Sequence, residues 1–166
     1  MKALLMSLAM SIPAIGWSAG SPDTSFYKDA AEAGLAEVSA GNLAQEKSSS
    51  AKVKEFAAMM VKDHSAANDK LKALADSKGV KLPTSPSVGQ QASAAKLKVL
   101  SGDTFDRSYV GEQVRGHEDV LNMLNKEVAS GQDPDAKALA KGLVPTVRSH
   151  LKAARALAKS VGASAK

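Results

Sequence analysis

The chain contains no cysteine. Disulfides, thiolate zinc sites, iron–sulfur clusters and cysteine nucleophiles are therefore excluded. Aromatic residues make up only 4% of the 166 positions, too few for the cross-strand pairs that stabilise a typical β-sandwich. Beyond the first fifteen residues no apolar run is long enough to cross a bilayer. Histidine occurs three times. There is no glycine-rich phosphate loop, no H-E-x-x-H run and no evident nucleophile–base pair, and these absences weigh against an enzyme. The net charge of +5 is modest, and the lysines are scattered among Asp and Glu rather than gathered in one patch. A solvated surface accounts for them, and nucleic acid is not an expected partner.

What is present is helix-forming: Ala, Leu, Val, Ser and Lys abound, which favours an all-α fold. Met1-Lys2 followed by an apolar stretch from Ala3 to Ile15, then Ser18-Ala19-Gly20, has the layout of a secretory signal peptide. Residues 1–20 are expected to be removed on export to a periplasm or beyond. Residues 21–162 form the folded domain and 163–166 a frayed tail.

Turn signals divide the domain into four long amphipathic segments. They run from about Ser25 to Lys47, Ala51 to Ser77, Asp103 to Ser130 and Asp135 to Ser160. Ser48-Ser49-Ser50 separates the first pair, and Gly131 to Pro134 the second, with Pro134 at a first helical position where its missing N–H costs nothing. A Pro-, Ser- and Gly-rich connection joins the pairs and carries a shorter helix near Val88 to Leu100. The expectation is a four-helix bundle, ferritin-like, with that short extra helix on a crossover between helices 2 and 3. An up-down-up-down bundle with a long middle loop remains the alternative.

At 100° per residue each side chain falls on a definite helix face. His64, His117 and His150 lie at the centre of the apolar stripes of three different helices. Glu37 lies in the apolar stripe of the remaining one, the only core-facing carboxylate the pattern yields. Each of the four is about 13 to 16 residues from its helix start, roughly 20 Å along, so antiparallel neighbours bring them to one level. A metal ion satisfies three buried imidazoles and a carboxylate together. The expected site is one transition-metal ion (zinc, copper, iron or nickel) on Glu37, His64, His117 and His150. Asn68, Gln113 and Thr146 stand one turn away on the same faces as supporting groups. Asp63 and Glu118 adjoin ligands but point about 100° aside, which makes them weaker candidates. A metal-free hydrogen-bonded cluster, specifying the packing or serving an unknown protein partner, stays open beside the metal. Pro145 interrupts the fourth helix and either kinks it or re-aims His150.

Several stretches carry a family resemblance. They include Ala33-Gly34-Leu35-Ala36-Glu37-Val38, Met60-Val61-Lys62-Asp63-His64, Lys78-Gly79-Val80-Lys81-Leu82-Pro83, Gly102-Asp103-Thr104-Phe105-Asp106-Arg107 and Val144-Pro145-Thr146-Val147-Arg148-Ser149-His150. Together they resemble the bacterial family known as domain of unknown function 4142. The resemblance implies a ferritin-like, usually exported helical protein and carries over no established activity. True ferritins pair each ligating His with a Glu three residues earlier. Here those places hold Val61 before His64 and Val147 before His150, so di-iron chemistry is not expected. Metal handling or envelope stress is the expected role.

Overall fold

The computed structural model describes residues 22–163. The expected leader at 1–20 lies outside them, as do residues 164–166 of the expected tail. Five helices form among the described residues, with no strand: α1 (Pro22–Lys47), α2 (Ala51–Ser77), α3 (Val88–Lys98), α4 (Gly102–Ser130) and α5 (Pro134–Val161). All lie within three residues of the segments the periodicity marks out.

The boundaries follow from local chemistry. Ser50 caps α2 by accepting the Val53 backbone N–H. Ser87 and Gln90 form a reciprocal capping box at the start of α3, with bonds of 3.3 and 2.8 Å. Asp133 caps α5, its carboxylate accepting the Asp135 N–H at 3.0 Å, and Pro134 follows in the first turn. Gly162 closes α5 in the left-handed region at φ 65°, where residues with a Cβ are strained. Pro145 sits inside α5 without ending it.

α1 packs along α2, and α4 along α5; α1 also contacts α4, and α2 contacts α5. α3 lies against α1 and α4. Side-chain contacts fix the directions. At one end the start of α1 meets the end of α4 and the start of α5: Asp23 accepts the Gln132 N–H at 2.8 Å, and Tyr27 donates to Asp133 at 2.9 Å. Lys78, just past the end of α2, joins that group through Asp133 at 3.1 Å and Asp135 at 2.6 Å. At the other end Lys47 donates to the Lys98 carbonyl, and Ser49 approaches Asp106 near the start of α4. Residues 79–101 therefore travel from one end of the molecule to the other.

The buried apolar residues fall into two clusters. One gathers Phe56, Met60, Phe105, Tyr109 and Leu157 near the α1–α2 turn. The other gathers Phe26, Tyr27, Leu71, Leu124 and Val147 near the α4–α5 turn. On every long helix the buried residues of the two clusters are separated by a polar position, Glu37, His64, His117 or His150, while the part-buried Leu121 packs against both. The molecule has a polar waist between two apolar ends.

Glu37 is not the only buried carboxylate, contrary to the sequence reading. Asp23, Asp106, Glu127 and Asp133 are each no more than 5% exposed. They lie toward helix termini, where packing by the neighbouring turn covers positions that a helical wheel assigns to solvent.

Candidate metal centre

His64, His117 and His150 are buried, and one ring nitrogen from each lies within 4.8 Å of those of the other two. Their ring centroids form a triangle with all three sides 5.5 Å. Matched depth on α2, α4 and α5 brings them together, as the spacing predicts.

The nitrogens can be sorted by what they touch. His117 Nδ1 is 2.8 Å from the Gln113 backbone carbonyl, which can only accept, so Nδ1 carries the proton and Nε2 the lone pair. That Nε2 is 3.4 Å from His64 Nε2. His150 Nε2 is 2.9 Å from an Asp63 carboxylate oxygen and donates to it. The lone pair of a neutral His150 is then on Nδ1, which is buried and has no hydrogen-bond partner. Burial pushes the His64 pKa down to about 3, helped by the neighbouring His117 and His150. Burial lowers His150 too, against the opposing pull of Asp63. Neutral imidazole, the ligating form, is thus favoured for both.

Glu37 does not join the converging nitrogens. Its Oε2 accepts from Gln113 Nε2 at 2.7 Å, and its Oε1 is 3.9 Å from His117 Nδ1, the nitrogen that faces away from His64. The expected fourth ligand therefore stands behind His117. A wheel assigns Cβ to a face but leaves the rotamer free, and the Gln113 amide captures the carboxylate. Room for it comes from Gly116, where a Cβ would lie 3.2 Å from Glu37 Oε1. Desolvation raises the Glu37 pKa, outweighing His117 and the Gln113 bond.

Of the expected supporting groups, Gln113 orients both His117 and Glu37. Asn68 lies across α1 where Gly34 has no side chain; a Cβ there would fall 1.8 Å from Asn68 Oδ1. Thr146 is exposed. Asn68 and Thr146 both line a pocket of about 240 Å³ that His64 and His150 also border. Asp63, ranked low by its wheel angle, is the carboxylate that bonds a histidine, because the His150 ring spans the α2–α5 gap to reach it. Glu118 pairs instead with Arg155 at 2.7 Å. A larger cleft of about 830 Å³ between α1, α3 and α4 reaches Glu37 and Gln113 but none of the three rings.

The family described as Domain of unknown function (DUF4142) matches residues 16–157, and the chain belongs to it. No curated protein matches. Among solved structures, a Streptomyces coelicolor protein described as secreted, DUF305, is similar in fold with a TM-score of 0.76. It is 18% identical, and the match covers 90% of this chain and 99% of that one. At that identity the likeness concerns the fold.

Proposed function

We propose that this DUF4142 protein is an exported helical protein that holds one transition-metal ion on His64, His117 and His150, in metal handling or envelope stress. The ion would be zinc, copper, nickel or iron, the metals that imidazole nitrogen suits. The observation that carries this reading is the buried, unpartnered His150 Nδ1 beside two further rings whose nitrogens converge. A buried acceptor left without a partner is costly, and a metal ion supplies one for every ring. The donor set fits. Tetrahedral bonds of 2.0–2.1 Å place ligand nitrogens about 3.3–3.4 Å apart, the spacing of His64 Nε2 and His117 Nε2. Two of the rings already have the outer hydrogen bond that ligating histidines usually make, His117 to a carbonyl and His150 to a carboxylate. Glu37 and Gln113 then act as groups that orient His117.

The proposal extends to architecture and location. The four long helices are read as a ferritin-like bundle over residues 21–162, supported by the connection that runs end to end between α2 and α4. Export is supported by the leader-like residues 1–20 and by a structural relative described as secreted. No helix among the described residues is long and apolar enough to cross a membrane.

A second reading is a metal-free polar network that fixes the packing. The 3.4 Å His64–His117 contact favours it, since one shared proton satisfies both nitrogens. Elemental analysis decides between the two. Chelator-stripped protein reconstituted separately with each ion, then desalted, should retain about one metal per chain, and His117→Ala should retain none while keeping its helical circular dichroism. Retention of no ion by the wild-type protein would sink the metal reading and leave the network.

A further inference from the structure

Three neutral imidazoles bring no charge to a metal dication. The nearest carboxylates stand behind two of the rings: Asp63 accepts from His150 itself, and Glu37, behind His117, accepts from Gln113. Neither carboxylate joins the converging nitrogens, so the charge of a dication would be offset only in part, through Asp63 behind His150, and three-ligand sites keep a fourth position open. The 240 Å³ pocket borders the site through His64 and His150. Its mouth is between α2 and α5, where Ala66, Lys70 and Thr146 are exposed. Its floor is apolar, made by Phe26 and Ala30 on α1 and Val120 and Leu124 on α4. His64 and His150 line it; His117 does not. Three polar groups meet a molecule passing inward: the Lys70 ammonium, the Asp63 carboxylate and the Asn68 amide lying in the space left by Gly34.

We propose that this pocket seats a small, weakly hydrated monoanion, which completes the coordination of the ion held by the three histidines. The inference rests on the metal reading above. Its volume is about eight times that of a liquid water molecule, ample for an anion of a few atoms. The apolar floor selects against strongly hydrated anions such as sulfate, whose dehydration it cannot repay. One negative charge offsets half that of a dication, and the Lys70 ammonium at the mouth favours its approach.

The test uses the purified chain loaded with cobalt(II), whose visible absorption reports its coordination, titrated with thiocyanate and separately with sulfate. Thiocyanate should change the bands saturably, and sulfate at the same concentrations should leave them unchanged. Ala67→Phe on one wall and Ala30→Leu on the floor should each retain cobalt and weaken thiocyanate at least tenfold; having two variants guards against one of them misfolding. Bands indifferent to thiocyanate in the cobalt-loaded protein would overturn the pocket assignment, as would undiminished binding in both filled variants. Failure to load cobalt appears earlier, in the metal stoichiometry, and where zinc, copper, nickel and iron also fail to load, it overturns the metal reading itself.

Discussion

Glu127 lies 5% exposed near the end of α4 among three other groups of the same apolar end, Asp23, Asp133 and Lys137. Burial, reinforced by a hydrogen bond with Asp23 and by the charges of Asp23 and Asp133, pushes its pKa from 4.5 up to about 7. A raised carboxylate pKa means that the folded state holds the proton more tightly than the unfolded chain. The stabilisation is full below about pH 4.5, declines as pH rises to about 7, and is gone above it. Some 2.5 units at about 1.36 kcal/mol each gives a loss on the order of 3 kcal/mol across that window. Glu127→Gln keeps the shape and a donor toward Asp23 while removing the ionisation. Urea unfolding of both proteins at pH 5, 6, 7 and 8 isolates the effect, because the histidines and other groups titrate alike in the two. The variant should gain on the wild type by on the order of 3 kcal/mol between pH 5 and 8, a relative shift in melting temperature of about 6–12 °C. A stability difference that stays flat with pH, or that moves against the variant as pH rises, would refute the argument that this carboxyl folds protonated.

Three further outcomes are expected. Asp63→Asn, which leaves an acceptor for His150 Nε2 but removes its charge, should retain one metal per chain with affinity reduced about 10–100-fold in competition with a chelator. Gly41→Ala should lower stability by about 1–3 kcal/mol in chemical denaturation, since its Cβ would sit 2.7 Å from Val61 Cγ2 and 3.0 Å from the Ala57 carbonyl. Gly142→Ala meets nothing within 4 Å on the open face of α5 and should raise stability by about 0.5–1 kcal/mol in the same assay.

The helices and the meeting of three histidines were legible because both rest on one periodicity. A 3.6-residue repeat places His64, His117 and His150 on core faces, and short turns at 48–50 and 131–133 equalise their depth. Side-chain direction was not legible. Glu37 occupies the right face and level yet turns toward Gln113, and Asp63 sits off the stripe yet reaches His150 across a gap between helices. Neither fact follows from Cβ positions. The path of the 79–101 connection was equally hidden, because composition marks a loop without saying which ends it joins; Lys78 and Lys47, each bonded at an opposite end, supply that.

The division of the core at the waist bears on how the molecule comes apart. Phe56, Phe105 and Tyr109 anchor one end and Phe26, Tyr27 and Leu124 the other, and among the described residues only the part-buried Leu121 packs against both groups. Polar contacts across that layer transmit little of the packing that makes a single core unfold in one step. The four long helices are continuous through it, so each behaves as a rod gripped separately at its two halves. An ion bound to three of those rods would then serve as a rivet, coupling two otherwise loosely joined halves into one cooperative unit.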